Sequence, residues 1–398
     1  MDQEGLTMDL KKLDQTYVAP TYKRFPVEIV SGKGSIVYDA NGKSYIDLTS
    51  GIGVTSFGVA DDEWQNAVRE QIGLVQHMSN LYYTEPCAKL AELLCEKTGM
   101  NKVFFSNSGA EANECAIKVA RKYAAEHNGD DCFTIATLNG SFHGRTLTTL
   151  AATGQAHYHE LFQPLTPGFI YIDPTAEALE AAANEHKLAA LMIECIQGEG
   201  GVINLPAEFV QQARTFTQEH DILLICDEVQ TGNGRTGALY SYMNYGITPD
   251  IVSTAKGLAG GLPLGATLLS EKVQDVLGFG DHGSTFGGNP VCCAAALSIL
   301  SRIDDDFLQQ VKEKSNLLRE TFAGAEGICS VSGMGFMLGL ETERPAGKIV
   351  AELIDRGVLC LTAKDKVRLL PALNIPKDTL LQAAKIIKEV CAKKDEND

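Results

Sequence analysis

No apolar run approaches the ~18–20 residues that a membrane-spanning helix needs, so a bilayer is not expected as a partner. Positive charge is scarce: 34 lysines and arginines stand against 51 aspartates and glutamates, a net of −17. An acidic surface repels phosphate backbones and no Lys/Arg cluster overturns that, so nucleic acid is not expected either. The eleven cysteines form no CxxC pair and no regular framework. Most lie among apolar neighbours, as in Leu93-Leu94-Cys95 and Leu224-Ile225-Cys226, which reads as free buried thiols in a reducing, cytoplasmic setting. Met1 to Leu10 carries Asp2, Glu4 and Asp9 and no apolar run, so no leader is expected there. The absence of GxSxG removes a nucleophile elbow. Without HExxH or paired cysteines no metal is expected, and His157-Tyr-His159 is too little for zinc. Ile222 to Glu228 fits the metal-binding strand of a P-loop ATPase. The required GxxxxGK[ST] is missing, because Gly42-Lys43-Ser44 has Val37 in the place of the first glycine.

What is present is ordinary for a soluble globular chain: 398 residues, 44% apolar and 21% charged. That length allows one large or a few ordinary domains, and it can bury a core without disulfides or structural metal. Ser31 to Asp47 reads as a hairpin turning at Asn41-Gly42. From about Asp61, helical stretches (62–75, 86–98, 111–127) alternate with apolar runs that begin at Lys102, Cys132, Phe169, Leu188, Ile222 and Ile251. Short apolar runs without alternation suit strands covered on both faces, so an α/β fold with a mostly parallel sheet is expected. After Pro290 the texture becomes α+β: helices at 290–302, 307–322 and 346–356, strands at 332–340 and near Val367.

In open α/β sheets ligands bind beyond the carboxyl ends of the strands. After Phe105, Ser108-Gly109-Ala110 makes a tight turn into a helix near Glu111. Bare amides at a helix start bind anions, and glycine admits a phosphate. A plain N-cap at Asn107 or Ser108 explains the same residues. Asp227 ends another run, either presenting a carboxylate or capping the next turn. Lys256 follows Ile251-Val-Ser-Thr-Ala into a glycine-rich loop; an exposed lysine is the default, but a buried one can be tuned for imine chemistry. Gly232 to Gly237 matches GxGxxG, which keeps a nucleotide-binding protein as the other reading. Five residues separate the strand from its first glycine, and an aromatic, loop-like stretch follows where a helix belongs. Phe142-His143-Gly144-Arg145 and His282 to Pro290 set aromatic, cationic and hydroxyl groups in glycine frames; His143 alone reads as structural. Together the phosphate cup, the acid and the lysine meet the needs of pyridoxal phosphate (PLP): a phosphate site, an acid for the pyridine nitrogen and an amine for the aldehyde.

Six stretches then resemble the class III aminotransferases of PLP fold type I, over essentially the whole chain. They are Asn80-Leu-Tyr-Tyr-Thr-Glu-Pro, Ser106-Asn-Ser-Gly-Ala-Glu-Ala-Asn, Ser141-Phe-His-Gly-Arg-Thr, Glu194-Cys-Ile-Gln-Gly-Glu-Gly-Gly, Asp227 to Gly237 and His282 to Pro290. The resemblance implies a large PLP-binding domain at 61–290 with a mostly parallel seven-stranded sheet. It implies a small α+β domain built from 1–60 and 291–398 together. Lys256 resembles the lysine that bonds the aldehyde and then relays the proton, and Asp227 the partner of the ring nitrogen. Gln230 is similar to the residue that bonds the ring hydroxyl, and Phe142 to the stacking aromatic. Ser108, Gly109 and Ala110 match the phosphate cup, with Glu194, Glu228 and Val229 also in the cofactor set. Thr285 resembles a residue that reaches the phosphate of a neighbouring subunit, which implies a homodimer. Arg145 is similar to the arginine that takes the α-carboxylate of an acyl-ornithine, with Ser284 in the substrate set. Arg368 resembles the arginine for the α-carboxylate of 2-oxoglutarate and glutamate, and Glu199 its switchable partner. The implied reaction moves the δ-amine of N2-acetylornithine to 2-oxoglutarate, as in arginine biosynthesis; succinylornithine, 4-aminobutyrate and ornithine remain alternatives. Ile52 stands where ornithine-specific members carry a tyrosine, which argues against free ornithine. Two departures stand out: Gly58-Val-Ala-Asp-Asp in place of Gly-His-x-His-Pro, and Cys195 in place of the usual proline.

Overall fold

The computed structural model describes residues 10–393. Met1 to Asp9, where no leader is expected, lies outside the described residues. A seven-stranded sheet forms the centre of an α/β fold: β1 (Lys102–Ser106), β2 (Thr134–Leu138), β3 (Phe169–Ile172), β4 (Leu188–Ile193), β5 (Leu223–Asp227), β6 (Ile251–Thr254) and β7 (Gly265–Leu269). Their spatial order is β1-β7-β6-β5-β4-β2-β3. β7 runs antiparallel to both neighbours, and the remaining pairs are parallel.

Every residue of β4, β5, β6 and β7 is buried, which is why their sequences show no alternation. Leu223 and Ile225 face one layer; Leu224 and Cys226 face the other. The first layer is α1 (Gly109–Asn128), whose buried Ala112, Ala116, Val119 and Ala120 recur at helical spacing. Small residues on that stripe let the helix lie close to the sheet. The apolar runs anticipated every strand but β7. Gly265-Ala-Thr-Leu-Leu follows directly on the glycine-rich loop after Lys256, and its apolar stretch is too short to stand apart from it.

The hairpin at Asn41-Gly42 joins Ile36–Asp39 to Ser44–Asp47, and Gly42 supplies the positive φ (80°) that the turn requires. Val358–Leu359 pairs in parallel with Ser44–Asp47, so segments near both ends of the chain share one sheet. A second four-stranded sheet contains Lys366–Leu369, the strand that carries Arg368. Helix Lys377–Cys391, which the sequence reading passes over, closes a core there with Leu380, Ala384 and Ile387 against Leu338, Leu340 and Val367.

The two departures have local answers. Asp61 caps helix Asp62–Ile72: its Oδ1 accepts the Trp64 N–H at 2.9 Å, and Arg302 donates to the same carboxylate at 2.8 Å. Cys195 is buried, and its carbonyl accepts from Leu205 N–H and the Tyr245 hydroxyl. The GxGxxG segment runs into a 3₁₀ turn, Ser241–Tyr245, and no helix start follows to receive a phosphate. Its Arg235 is buried and donates to the carbonyls of Phe336 and Pro371. The segment is therefore an internal tie, which removes the support for nucleotide binding there.

Candidate active site

The carboxyl ends of β5 and β6 and the start of α1 meet at a cavity of about 420 Å³. Ser108, Gly109 and Ala110 line one end of it. Ser108 caps α1, its Oγ accepting the Glu111 N–H at 3.2 Å, while Glu111 returns to accept the Asn107 N–H at 2.7 Å. The cap does not exclude an anion there, because the first N–H groups of a helix have no intrahelical partner. A Cβ on Gly109 would stand 2.6 Å from Val229 Cγ1. Gly109→Ala is therefore expected to push Val229 and the turn apart, at a cost of about 1–3 kcal/mol, and to weaken PLP retention. Thermal unfolding and a cofactor titration check this; no change in either would mean that the turn has slack.

Asp227 is buried at the end of β5. Its Oδ2 accepts from Asn113 Nδ2 at 2.7 Å and from His143 Nδ1 at 2.8 Å, and its Oδ1 accepts the Val229 N–H at 3.0 Å. It therefore caps the next turn and also faces the cavity. Asn113 Nδ2 also donates to the His143 carbonyl at 2.8 Å, locking helix, loop and strand together. Burial opposes a charge on His143, but the hydrogen bond and charge of Asp227 carry its pKa above the ordinary value. The sequence reading left Asn113 without a role and took His143 as structural. The available signal was a polar residue one helical turn beyond Gly109, on the buried alanine face of α1.

Lys256 lines the cavity at φ 44° and makes no hydrogen bond or ion pair among the described residues. Burial lowers its pKa; the Glu199 carboxylate works against this shift and the Arg368 guanidinium with it. Glu194 is buried beside it in the lining, its carboxyl pushed up to about 7 by burial, with His143 offsetting and Asp227 adding. Phe142 and Val229 complete the apolar walls.

Arg368 Nη1 lies 2.6 Å from Glu199 Oε1 and 3.2 Å from Gln230 Oε1. Gln230 Nε2 reaches back to Glu199 at 3.4 Å, and Gln230 also lines the cavity, so the ion pair stands beside it. Burial penalises the Glu199 charge, yet the charge and hydrogen bond of Arg368 carry its pKa below the usual carboxylate value. Arg368 Nε is buried without a partner among the described residues.

Other expected residues are not gathered here. Arg145 is exposed, its guanidinium over the rings of Tyr158 (4.5 Å) and Phe142 (5.4 Å), which places it at the rim. Ser284 and Thr285 line a separate opening with Asn80 and Phe104. Ser284 Oγ accepts from Asn107 Nδ2 and from the Gly287 N–H, so it ties its own loop. Glu228 is a correction: Thr231, Ser241 and Tyr242 occupy both of its carboxylate oxygens away from the cavity. It supports the following loop and lies outside the cavity lining. Among the described residues no cluster of His, Cys, Asp or Glu is fit to hold a metal.

Residues 17–391 match the model of the class III aminotransferase family. The chain is a class III aminotransferase. It is 47% identical over 384 residues to the acetylornithine aminotransferase of Haemophilus ducreyi, covering 96% of this chain and 98% of that one. It is 42% identical over 373 residues to the acetylornithine aminotransferase of Methanocaldococcus jannaschii, covering 92% and 94%. The crystal structure of the ornithine aminotransferase from Toxoplasma gondii superposes with a TM-score of 0.92 at 31% identity, covering 96% and 94%. The N-acetylornithine aminotransferase of Stenotrophomonas maltophilia superposes at 0.83 with 34% identity, covering 96% and 98%. The aminotransferase is PLP-dependent, as its family is. Its residues fit that cofactor: a helix start with a cradle that a Cβ would fill, a fixed carboxylate and a half-buried lysine that lines the cavity without a partner among the described residues.

Proposed function

We propose that this aminotransferase moves the δ-amino group of N2-acetylornithine to 2-oxoglutarate, giving N-acetylglutamate semialdehyde and glutamate in arginine biosynthesis. The observation that carries this reading is the Arg368–Glu199 pair beside the cavity. An enzyme that alternates a diacid with an ω-amine must offer a cation to one and conceal it from the other. A buried cation paired with a carboxylate avoids most of its desolvation penalty, and the carboxylate can swing aside when a diacid replaces it. Arg145 at the rim then takes the distant α-carboxylate of the acyl-ornithine. Its planar guanidinium is suited to bidentate carboxylate contact.

When bound, PLP supplies an aldehyde carbon for the transferred amine and a ring that accepts the electron pair left on the substrate carbon. Ser108, Gly109 and Ala110 would hold its phosphate, Asp227 would serve its ring nitrogen and Phe142 its ring face, and Gln230 would bond its hydroxyl. Lys256 would supply the amine for the aldehyde, and its Nζ would hold the proton that moves during transfer. Burial lowers its basicity, which eases release of that proton.

The same reading divides the chain into a large domain at 61–290 and a small one from 1–60 and 291–398. It pairs two copies, so that Thr285 of each reaches the other's phosphate. The exposed Leu81, Tyr82, Tyr83 and Phe286 near that opening support such a partner. The eleven unpaired cysteines support a reducing compartment, and we place the enzyme in the cytoplasm. No helix among the described residues is long and apolar enough to cross a membrane.

The test is Glu199→Ala. It leaves Arg368 unmasked, so the ratio of kcat/KM for glutamate over acetylornithine is expected to shift toward glutamate by ~1–3 kcal/mol, the worth of one charged hydrogen-bonded partner. An unchanged ratio would make Glu199 a loop residue and leave selection to Arg145.

A further inference from the structure

Glu199 stands near the tip of a small hairpin. Ile196–Gln197 pairs with Ile203–Asn204, and the tip between them reads Gly198-Glu199-Gly200-Gly201-Val202. The carbonyl of Gly198 accepts the N–H groups of Gly201 and Val202 at 3.3 Å each, closing the turn on itself. One contact from outside the hairpin reaches the first residue of this tip: the Gly198 N–H donates to Glu194 Oε1 at 3.4 Å. The other oxygen of that carboxyl, Oε2, accepts the Phe142 N–H at 2.9 Å. Glu194 follows directly on β4 in the middle of the sheet, so it ties the Phe142 loop and the hairpin tip to one anchored carboxyl. Side chains cannot substitute for the backbone here, because a Cβ on Gly198 would stand 2.5 Å from Gln230 Oε1.

We propose that Glu194 is a positioning residue for donor selection: it holds the Gly198 amide, and through it sets where Glu199 stands against Arg368. The bond to Phe142 is short and fixes the cavity wall. The bond to Gly198 is long for a hydrogen bond, which suits a hold that must release when a diacid displaces Glu199. Glu194 thus acts on selectivity through Glu199, although it touches neither Arg368 nor the distal end of the substrate. The inference rests on the gate reading given above.

A double-mutant cycle on the PLP-loaded enzyme tests it, with kcat/KM for glutamate and for acetylornithine measured in wild type, Glu194→Gln, Glu199→Ala and the double variant. Glutamine keeps the size of the side chain but only one acceptor oxygen, so the amides of Phe142 and Gly198 cannot both be satisfied. The shorter N–H···O bond is retained and the Gly198 amide is released. In the wild-type background Glu194→Gln is expected to move the glutamate-to-acetylornithine ratio about 5-fold toward glutamate, the scale of one weakened hydrogen bond. In the Glu199→Ala background the same change should leave the ratio within about 2-fold, because the gate is already gone. A merely structural role would lower both rates alike in both backgrounds. An unshifted ratio in the first background, or an equal shift in both, overturns the proposal. If Glu194→Gln fails to fold, Glu194→Asp runs the same cycle, its shorter carboxylate spanning one amide only. A wild-type enzyme inert to acetylornithine would sink the proposed donor without touching this one; 4-aminobutyrate then takes its place in the ratio.

Discussion

Replacing Lys256 by alanine is expected to abolish turnover while leaving the fold intact. The side chain enters a cavity without a partner among the described residues, so no hydrogen bond is lost with it. What is lost, on the proposed mechanism, is the amine for the cofactor aldehyde and the base that would relay the proton at the substrate carbon. General acid–base transfer alone is worth about 10²–10⁴-fold, and loss of the covalent anchor adds to it. Arginine keeps the charge but cannot form the bond, so Lys256→Arg should fail as well. The stability side has a sign of its own. Burial lowers the Lys256 pKa in the folded protein, so below that pKa the folded state carries a penalised ammonium that the unfolded chain does not. Cofactor-free Lys256→Ala should therefore unfold at the same or a higher temperature than wild type. The difference should shrink as pH rises toward the ordinary lysine pKa, where both states become neutral. Single-turnover assays and unfolding at two pH values check both halves; near-normal turnover would remove Lys256 from the mechanism.

Asp227→Ala is expected to cut kcat by at least about 10²-fold, the scale of losing one preorganised electrostatic partner. Cofactor affinity should fall much less, since the start of α1 still holds the phosphate. The substitution also strands His143 Nδ1 and one hydrogen of Asn113 Nδ2, whose other hydrogen keeps the His143 carbonyl. Buried donors left unpaired cost about 1–3 kcal/mol each, so some stability must go too. The discriminating comparison sets kcat against the PLP dissociation constant of the apoenzyme. Parallel losses in the two would mean that Asp227 serves the fold and not the electron sink.

The candidate site was legible because the fold puts it at strand ends. β5 and β6 are buried on both faces, so their apolar runs end where water and ligand begin, at Asp227 and Lys256. The same logic brought out Ser108 to Ala110 at the end of β1. It could not bring out Asn113 or His143, whose importance is that they point at Asp227 from a helix and a loop. Contacts between residues 84 and 114 positions apart leave no local pattern in one sequence. Glu228 was misassigned for a related reason: adjacent residues at the end of a strand point to opposite sides, and only Asp227 faces the cavity. β7 escaped notice because a short strand after a glycine loop carries the composition of the loop.

The parallel pairing of Val358–Leu359 with Ser44–Asp47 has a consequence for synthesis. The strand Ser44–Asp47 leaves the ribosome roughly 300 residues before its neighbour, an interval of roughly 15–60 s at about 5–20 residues per second. Throughout that interval Val37, Tyr45, Ile46 and Leu48, all buried at the end, have no lasting cover. The central sheet can assemble first, since all its strands lie between Lys102 and Leu269. The nascent chain therefore carries a finished middle and an adhesive beginning until the partner strand at Val358–Leu359 arrives.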